Sequence, residues 1–256
     1  MFTELRMGEV WDHMEFDGQI ALVTGSTSGI GREAARLLAA GGAMVIVTGR
    51  DAARGAETVA SIEAEGGRAK FIAADMADLA SVRSLAEAAG EVDVLVNNAG
   101  VFPFTPTAEQ DVAGFERLFD VNVRAPFFLT AALLPGMAAR GRGSVVNVST
   151  SATSYAVPGA AAYAATKAAL ESLTRTWAVE YRGTGIRVNA VAPGATVTEG
   201  TQALAPEAVA ESGRRSPLAR TASPREIAEV IVFLASPRSS YVHGELIQAD
   251  GGRTIG

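Results

Sequence analysis

Tyr163 and Lys167 form a pair whose spacing suits acid–base chemistry. Because positions i and i+4 of an α-helix share one face, a helix here would project both side chains together. An unperturbed tyrosine titrates near pH ~10, and a neighbouring ammonium group lowers that pKa because it favours the phenolate. The pair is therefore a candidate proton donor and acceptor. The motif alone is equally compatible with a Tyr–Lys pair that lies on the surface and has no function.

A glycine-rich turn runs from Thr24 to Gly31, directly after the first predicted strand. In a parallel sheet this position binds dinucleotide phosphates, because backbone N–H groups and the helix dipole meet the negative charge there. The spacing is not G-x-G-x-x-G, since Thr27 and Ile30 replace two glycines, and no Gly-Lys-Ser/Thr sequence ends it as in a P-loop. A turn that simply requires glycines is the alternative.

The elements that must position these groups alternate along the chain. Short β-branched runs are separated by helical stretches rich in Ala and Leu. The runs are continuously apolar, which is typical of parallel strands covered by helices on both faces. They predict an α/β fold, a single doubly wound Rossmann-type domain with a seven-stranded parallel sheet. The predicted strands are 20–23, 45–47, 71–72, 92–96, 144–148, 187–191 and 245–248, and the predicted helices are 31–40, 51–65, 79–89, 114–133, 160–181 and 224–234.

Composition excludes several classes of protein. The 256 residues include 22 Lys and Arg against 28 Asp and Glu, which gives a net charge of −6. Proteins that bind nucleic acids or anionic membranes need a basic surface, so this charge argues against both classes. The absence of Cys excludes thiolate chemistry and iron–sulfur clusters, and two His argue against a metal site. We expect a cytoplasmic protein, because the sequence shows neither a signal-peptide core nor a run of ~18 apolar residues.

The pattern also predicts the division of the chain. Residues 1–17 precede the first strand and are predicted to be an N-terminal tail. Residues 18–256 are predicted to form the catalytic and dinucleotide-binding domain. The segment 195–223 has no clear element and is too long for an ordinary connection, so it is a candidate lid over the substrate.

Five motifs occur in an order that resembles the short-chain dehydrogenase/reductase family, over about residues 19–252. The matching residues are Thr24 to Gly31, Asn97-Asn98-Ala99-Gly100, Asn122, Tyr163 with Lys167, and Pro193-Gly194. Within the family the chain is similar to the 3-oxoacyl carrier-protein reductase and ketoreductase type. The resemblance implies hydride transfer between a nicotinamide cofactor and a ketone or secondary alcohol, with Tyr163 as proton donor and acceptor. Lys167 would hold the nicotinamide ribose and lower the pKa of Tyr163.

The resemblance also implies a set of cofactor-binding residues. Asp75 would meet the adenine amino group, and 97–100 would form the floor beside the adenosine ribose. The expected set is Gly25, Ser26, Thr27, Ser28, Gly29, Ile30, Gly31, Arg50, Asp75, Met76, Asn98, Ala99, Gly100, Tyr163, Lys167, Pro193, Gly194 and Thr198.

The end of the second strand bears on the choice of cofactor. NAD-selective sites place a carboxylate there for the ribose hydroxyl groups, but this chain has Gly49. Arg50 follows, and a guanidinium group suits a 2′-phosphate. NADP(H) is therefore favoured, with NAD(H) as the alternative, because Ser28 stands where many NADP-using relatives carry a second basic residue.

Asn122 is a candidate catalytic residue for a backbone reason. Pro126 lies four residues later on the same predicted helix and has no N–H to bond the Asn122 carbonyl. The helix should kink there, and the freed carbonyl could hold a water molecule in a proton relay. A proline that merely bends the helix around the core is the alternative.

The third catalytic residue of the resembling family is usually a serine 13 positions before the tyrosine, and here that position is Thr150. A threonine hydroxyl offers the same donor and acceptor. Ser149 and Ser151 flank it, and in an extended strand they should point to the opposite side. We assign the role to Thr150, with Ser151 as the alternative.

The sequence gives less information about the substrate and the oligomeric state than about the fold and the cofactor site. Phe102, Phe104, Tyr155 and Val157 suggest an apolar pocket for a small-molecule substrate, although each could belong to the core. Small residues on the helix 160–181, together with the resemblance, predict a homotetramer or homodimer. A non-catalytic dinucleotide-sensing protein, and a dehydratase or epimerase on the same fold, are the competing interpretations.

Overall fold

The computed structural model describes residues 15–255, with a seven-stranded parallel sheet at its centre. The strands are β1 (Ile20–Val23), β2 (Met44–Gly49), β3 (Arg68–Ala73), β4 (Val94–Asn97), β5 (Gly143–Val148), β6 (Ile186–Pro193) and β7 (Leu246–Ala249). Their order is β3-β2-β1-β4-β5-β6-β7, and every neighbouring pair is parallel. The order reverses between β1 and β4, where a ligand crevice forms beyond the carboxyl ends of the strands. The predicted fold class is confirmed.

Helices cover both faces of the sheet. They are α1 (Gly29–Ala40), α2 (Ala52–Ala64), α3 (Leu79–Ala89), α4 (Val112–Phe119), α5 (Ala125–Arg140), α6 (Ala161–Glu180), α7 (Glu199–Leu204), α8 (Pro206–Arg214) and α9 (Pro224–Ala235). Leu38 of α1 and Ile231 of α9 are buried in the core cluster on one face. Leu85 of α3, Leu129 of α5 and Trp177 of α6 are buried in the cluster on the other. These two apolar layers fix the strand ends that carry the site.

The predicted helix 114–133 is interrupted where the proline lies. It consists of α4, a π-helical turn at Asp120–Arg124, and α5. The Ala125 N–H bonds to the carbonyl of Asp120, five residues earlier, instead of four. Since Pro126 cannot donate to the carbonyl of Asn122, the wider turn occurs where the sequence predicts a kink.

The segment 195–223 is more ordered than the sequence suggests. We expected no regular element there, but it contains α7 and α8. A β-bridge between Thr196 and Ala222 closes its base, and the Ala222 N–H bonds to the Ala195 carbonyl at 2.8 Å. Both helices are short, and glycines at 200 and 213 together with Pro206 weaken the helical signal.

The N-terminal boundary also differs from the prediction. The fold begins before residue 18, because Phe16 is 1% exposed in the core and its N–H bonds to the Gly41 carbonyl at 2.9 Å. The rest of the predicted tail, residues 1–14, lies outside the described residues. By length and composition alone, the continuous helical segment Val112–Arg140 could cross a membrane, but half of its most apolar stretch is buried within this fold.

Candidate active site

The site lies at the carboxyl ends of the central strands. The glycine-rich turn follows β1, the segment 97–100 follows β4, Thr150 follows β5, and Pro193 ends β6. Tyr163 and Lys167 lie on α6, in its first two turns. Because neighbouring parallel strands end at one edge, residues distant in sequence meet there.

The Thr150 side chain lies close enough to the phenol of Tyr163 to lower its pKa. The two flanking serines have other partners. The Ser149 hydroxyl donates to Glu171 at 2.5 Å, and the buried Ser151 hydroxyl lies 3.4 Å from the hydroxyl of Tyr155. Of these three residues, only Thr150 is among the causes of the shifted pKa of Tyr163, and its catalytic role stays a prediction.

The protonation of Tyr163 differs from the expectation. We expected Lys167 to lower the pKa of the phenol, but burial raises the pKa of Tyr163 to about 12. The surrounding protein removes water that would stabilise the phenolate, and nearby Tyr155 acts in the same direction. The hydrogen bond from Thr150 opposes the shift without overcoming it. Tyr163 therefore holds its proton at neutral pH in this structure.

Lys167 is buried beside the strand end. It is 4% exposed, and its Nζ donates to the Val148 carbonyl at the end of β5 at 2.8 Å. Burial lowers the pKa of Lys167 to about 8, and the carboxylate of Glu171 acts against this by favouring the ammonium form. A Cβ at Gly100 would lie 3.3 Å from Nζ, so the β4 loop passes directly over the ammonium group.

Asn122 holds the β4 loop through its side chain. Its Oδ1 accepts the Val101 N–H at 2.9 Å, and its Nδ2 donates to the Val101 carbonyl at 2.9 Å and to Thr166 at 3.1 Å. This amide is fully committed to neighbouring groups and positions the loop beside Lys167. A water-holding role for the Asn122 backbone carbonyl stays a prediction.

The glycine-rich turn is tightly packed, as a cofactor cradle requires. A Cβ on Gly25 would lie 2.9 Å from the Ala99 Cα, and a Cβ on Gly31 would lie 2.4 Å from the Asn98 Nδ2. That amide donates to the carbonyls of Thr24 and Gly25 at 2.8 and 3.1 Å, which joins the turns after β1 and β4. Side chains at these glycines would force the turns apart.

Several predicted cofactor residues are already committed to the fold. Ser26 is fully buried, its hydroxyl donates to the Val23 carbonyl, and its N–H bonds to Thr48. Its side chain therefore holds the turn in place, and its place in the cofactor site stays a prediction. Met76 packs in the core cluster, so only its backbone could reach a ligand. Asp75 uses one carboxylate oxygen to accept the Ala77 N–H at 3.0 Å, and within residues 15–255 the other oxygen has no donor.

The remaining predicted residues surround the turn. Thr27, Ser28 and Ile30 are partly buried within it, and Ser28 begins α1 without a side-chain cap bond. At the end of β6, a Cβ on Gly194 would lie 2.7 Å from the Asp250 Cα, so only glycine fits there after Pro193.

Thr198 comes close to the first turn of α1. A Cβ on Gly29 would lie 3.2 Å from the Cβ of Thr198, and the backbone of Gly29 has a positive φ of +53°. The next residue, Glu199, accepts the Gly29 N–H at 3.1 Å and pairs with Arg32 at 2.6 Å. The segment 195–223 is thus joined to the proposed phosphate site through a carboxylate.

Arg50 is exposed beside this turn. A Cβ on Gly49 would lie 2.8 Å from Cγ2 of Thr27, so an acidic side chain there would clash with the glycine-rich turn. The following carboxylate, Asp51, is paired with Arg54 at 2.9 Å. Arg50 therefore has no acidic neighbour in its own segment to neutralise it.

An aromatic wall borders Tyr163. The ring centroids of Phe102 and Phe104 lie 6.5 and 5.9 Å from that of Tyr163. A Cβ on Gly200 would lie 3.2 Å from Phe102, so α7 touches the same wall. Two of the four residues expected to line an apolar pocket therefore lie beside Tyr163, and the pocket itself stays a prediction.

Three charged residues near the site escaped prediction from the sequence. Glu171 accepts hydrogen bonds from Ser149 and from Thr153, at 2.5 and 2.7 Å, on either side of Thr150. Its i+4 spacing from Lys167 was a usable signal. Glu199 and Arg253 are brought to the site only by folding. Within residues 15–255, no group of three or more His, Asp or Glu side chains is arranged to hold a metal ion.

Comparisons with known proteins agree with this arrangement. A family model described as "Enoyl-(Acyl carrier protein) reductase" matches residues 25–254. A solved structure described as a short chain dehydrogenase/reductase family protein is 53% identical, covers 95% of this chain and 100% of that chain, and has a TM-score of 0.90. The 3-oxoacyl-[acyl-carrier-protein] reductase of Thermotoga maritima is 38% identical over 94% of this chain and 100% of its own length. A gluconate 5-dehydrogenase from Burkholderia cenocepacia J2315, solved in complex with NADP and tartrate, is 33% identical, covers 96% of this chain and 98% of that chain, and has a TM-score of 0.89.

The chain belongs to the short-chain dehydrogenase/reductase family, which confirms the resemblance inferred from the five motifs. It is an NAD(P)-dependent oxidoreductase of that family. The names of these two relatives, a 3-oxoacyl-[acyl-carrier-protein] reductase and a gluconate 5-dehydrogenase, point to different substrates, so membership of the family does not identify the substrate.

Proposed function

We propose that this protein is an NADP(H)-dependent oxidoreductase that interconverts a ketone and a secondary alcohol. The observation that carries the proposal is the grouping of Thr150, Tyr163 and the buried Lys167. Thr150 is close enough to lower the pKa of the phenol, and Lys167 lies one helical turn from Tyr163 with its Nζ on the Val148 carbonyl. The packed glycine cradle beside these groups fits a dinucleotide. When bound, the nicotinamide supplies or accepts the hydride.

The side chains around the cofactor site have separate roles in the reaction. Because burial raises its pKa, Tyr163 keeps its proton at neutral pH and can donate it to a substrate oxygen in reduction. Thr150 offers a hydroxyl donor to the same oxygen. Lys167 places a positive charge near the cofactor ribose and opposes the cost of forming the phenolate. Asn122 holds the loop that passes over Lys167.

The preference for NADP(H) rests on Arg50. Its guanidinium group is exposed near the turn, and the space at Gly49 excludes a carboxylate that would repel a phosphate. Several solved relatives were crystallised with NADP or NADPH, which supports the same choice. NAD(H) is the alternative cofactor.

The test measures NADPH oxidation with a panel of β-ketoacyl thioesters, cyclic ketones, quinones and sugars. Tyr163→Phe should abolish turnover while NADPH fluorescence shows unchanged binding. If the wild-type protein binds NADPH but consumes none with any substrate, a dinucleotide-sensing role replaces the proposal. Conversion of a substrate without net NADPH consumption would instead indicate a dehydratase or epimerase.

We also propose a cytoplasmic homotetramer or homodimer. Ala165, Ala168 and Ser172 of α6 are small and exposed, and Phe127 and Phe128 of α5 are each 39% exposed nearby in the fold. Small residues allow close approach of a second helix, and exposed aromatic rings favour burial. Light scattering of the purified protein would contradict this if it gave the mass of a monomer.

A further inference from the structure

Glu171 lies on the same side of α6 as the two reacting side chains of that helix. Tyr163, Lys167 and Glu171 are spaced four residues apart, so all three project towards the carboxyl end of β5. Glu171 is partly buried, and a carboxylate that is removed from water is costly unless hydrogen-bond donors compensate it. The donors that compensate this one come from the residues around Thr150.

One carboxylate oxygen of Glu171 holds the chain on both sides of Thr150. Its Oε1 accepts the Ser149 hydroxyl at 2.5 Å and the Thr153 hydroxyl at 2.7 Å. The same Thr153 hydroxyl lies 2.8 Å from the carbonyl of Thr150, so Glu171 is linked to the backbone of Thr150 through one side chain. Hydrogen bonds to an ionised acceptor are about twice as strong as bonds between neutral groups. Glu171 therefore fixes the segment 149–153 to α6.

The turn Ser151–Thr153 depends on Glu171 for its attachment to that helix. The N–H groups of Ala152 and Thr153 bond back to Thr150, inside the turn. Within residues 15–255, no group of this turn other than the Thr153 hydroxyl hydrogen-bonds α6. Glu171 is therefore the point at which the turn after Thr150 is fixed to the helix that carries the reacting pair.

We propose that Glu171 is a positioning residue, which keeps the Thr150 hydroxyl within reach of the Tyr163 phenol and of the substrate oxygen. This inference rests on the proposed function, because it gives Glu171 a role that acts only through Thr150. A displacement of about 1 Å at a group that orients the reaction is enough to cost roughly 10²-fold in rate. With this contact, one rigid helix holds the tyrosine, the lysine and, through Glu171, the threonine.

A double-mutant cycle in NADPH-dependent reduction tests whether Glu171 acts through Thr150. Glu171→Ala removes both hydroxyl contacts and should lower kcat by about 10- to 100-fold, with the KM for NADPH unchanged. In the Thr150→Val background the same change should cost no more than about twofold, because the hydroxyl that Glu171 positions is already absent. Glu180→Ala is the matched control and should retain full kcat, because Glu180 is exposed at the last residue of α6.

Glu171→Gln separates the hydrogen bonds from the charge. An amide oxygen still accepts from both hydroxyl groups, so this variant should recover most of the kcat that Glu171→Ala loses. All variants are assayed at pH 6, where Lys167, whose pKa is about 8, keeps its charge. A glutamine variant as slow as the alanine variant would overturn the proposal, because the charge and not the hydrogen bonds would then matter. Losses from Glu171→Ala and Thr150→Val that multiply in the double variant would overturn it as well.

Hydrogen exchange separates this inference from the proposed function, because it needs no turnover. The amides of residues 149–155 should exchange about tenfold faster in Glu171→Ala and at the wild-type rate in Glu180→Ala. If no ketone is reduced but Glu171→Ala alone speeds this exchange, Glu171 holds the segment and the proposed oxidoreduction fails. If Thr150→Val impairs reduction while Glu171→Ala keeps the exchange rate and the kcat of the wild-type protein, the positioning role fails alone.

Discussion

Replacing Thr150 with valine tests the catalytic arrangement most directly, because valine keeps the branched shape and removes only the hydroxyl. The change deletes a donor for the substrate oxygen and the hydrogen bond that opposes the raised pKa of Tyr163. Loss of one preorganised donor costs about 10²- to 10³-fold in kcat, or roughly 2.7–4 kcal/mol. We therefore expect Thr150→Val to lower kcat for NADPH-dependent reduction by that factor. Thr150→Ser should retain nearly full activity.

The stability of the variants must be measured separately. The Thr150 Oγ1 also accepts the Ala152 N–H at 3.3 Å and caps the short helical turn that follows. Loss of such a cap destabilises a protein by about 0.5–2 kcal/mol, which urea unfolding detects. Steady-state kinetics below the unfolding transition then report the chemical step.

Ser151→Ala is the matched control for assigning the catalytic hydroxyl to position 150 and not to its neighbour. The Ser151 hydroxyl is buried and lies 3.4 Å from the Tyr155 hydroxyl, and Ser151 is not among the causes of the shifted pKa of Tyr163. We expect Ser151→Ala to retain its kcat. If Thr150→Val keeps full kcat and Ser151→Ala loses it, the counting from Tyr163 is wrong and Ser151 holds the substrate oxygen.

Three further changes test the cofactor site and the charge of the lysine. Arg50→Asp should weaken NADPH binding by about 2 kcal/mol, roughly 30-fold, and should weaken NADH binding far less. Fluorescence titrations that gave equal losses for the two cofactors would contradict a contact with the 2′-phosphate. Glu199→Gln removes a carboxylate that competes with the cofactor phosphate for the Gly29 N–H. NADPH should then bind about two- to fivefold more tightly, which matches the ~0.2–1 kcal/mol of an exposed ion pair. Weaker binding would refute this competition. For wild type, kcat/KM for NADPH should fall as pH rises through about 8, because Lys167 loses its charge there. Glu171→Gln should move that fall to lower pH, because Glu171 raises the pKa of Lys167, and an unmoved profile would exclude this coupling.

Local patterns in the sequence were enough for the sheet and for the central pair. β1, β2, β4 and β5 are short runs of branched apolar residues that are buried on both faces. Such runs are typical of parallel strands covered by helices, so the sequence predicted them directly. β3 was predicted too short, because it alternates exposed Arg68 and Lys70 with buried Ala69 at the edge of the sheet. The strand period was visible there, but the apolar run was not.

The contacts of the segment 195–223 could not be predicted from local sequence patterns. Glu199 meets Gly29 across 170 residues of sequence, and no spacing rule relates two such positions. Arg253 and Tyr155 are likewise joined only by the packing of the residues after β7 against the β5 loop. By contrast, Glu171 follows Lys167 by four residues on a predicted helix, so its place beside the site could have been derived.

The protonation of Tyr163 shows why spacing alone gave the wrong direction for a pKa. The i+4 rule places an ammonium group near the phenol, and attraction between the two would stabilise the phenolate. Folding also surrounds the phenol with Phe102, Phe104 and the β5 loop, and removal of water disfavours the charged form of both partners. Burial therefore moves the two pKa values in opposite directions, to about 12 for Tyr163 and about 8 for Lys167, so that at neutral pH Tyr163 is neutral and Lys167 is still mostly charged. The groups that oppose these two shifts are the Thr150 hydroxyl, which follows β5, and the Glu171 carboxylate, which lies on α6. The i+4 spacing of Tyr163 and Lys167 gives no information about either group.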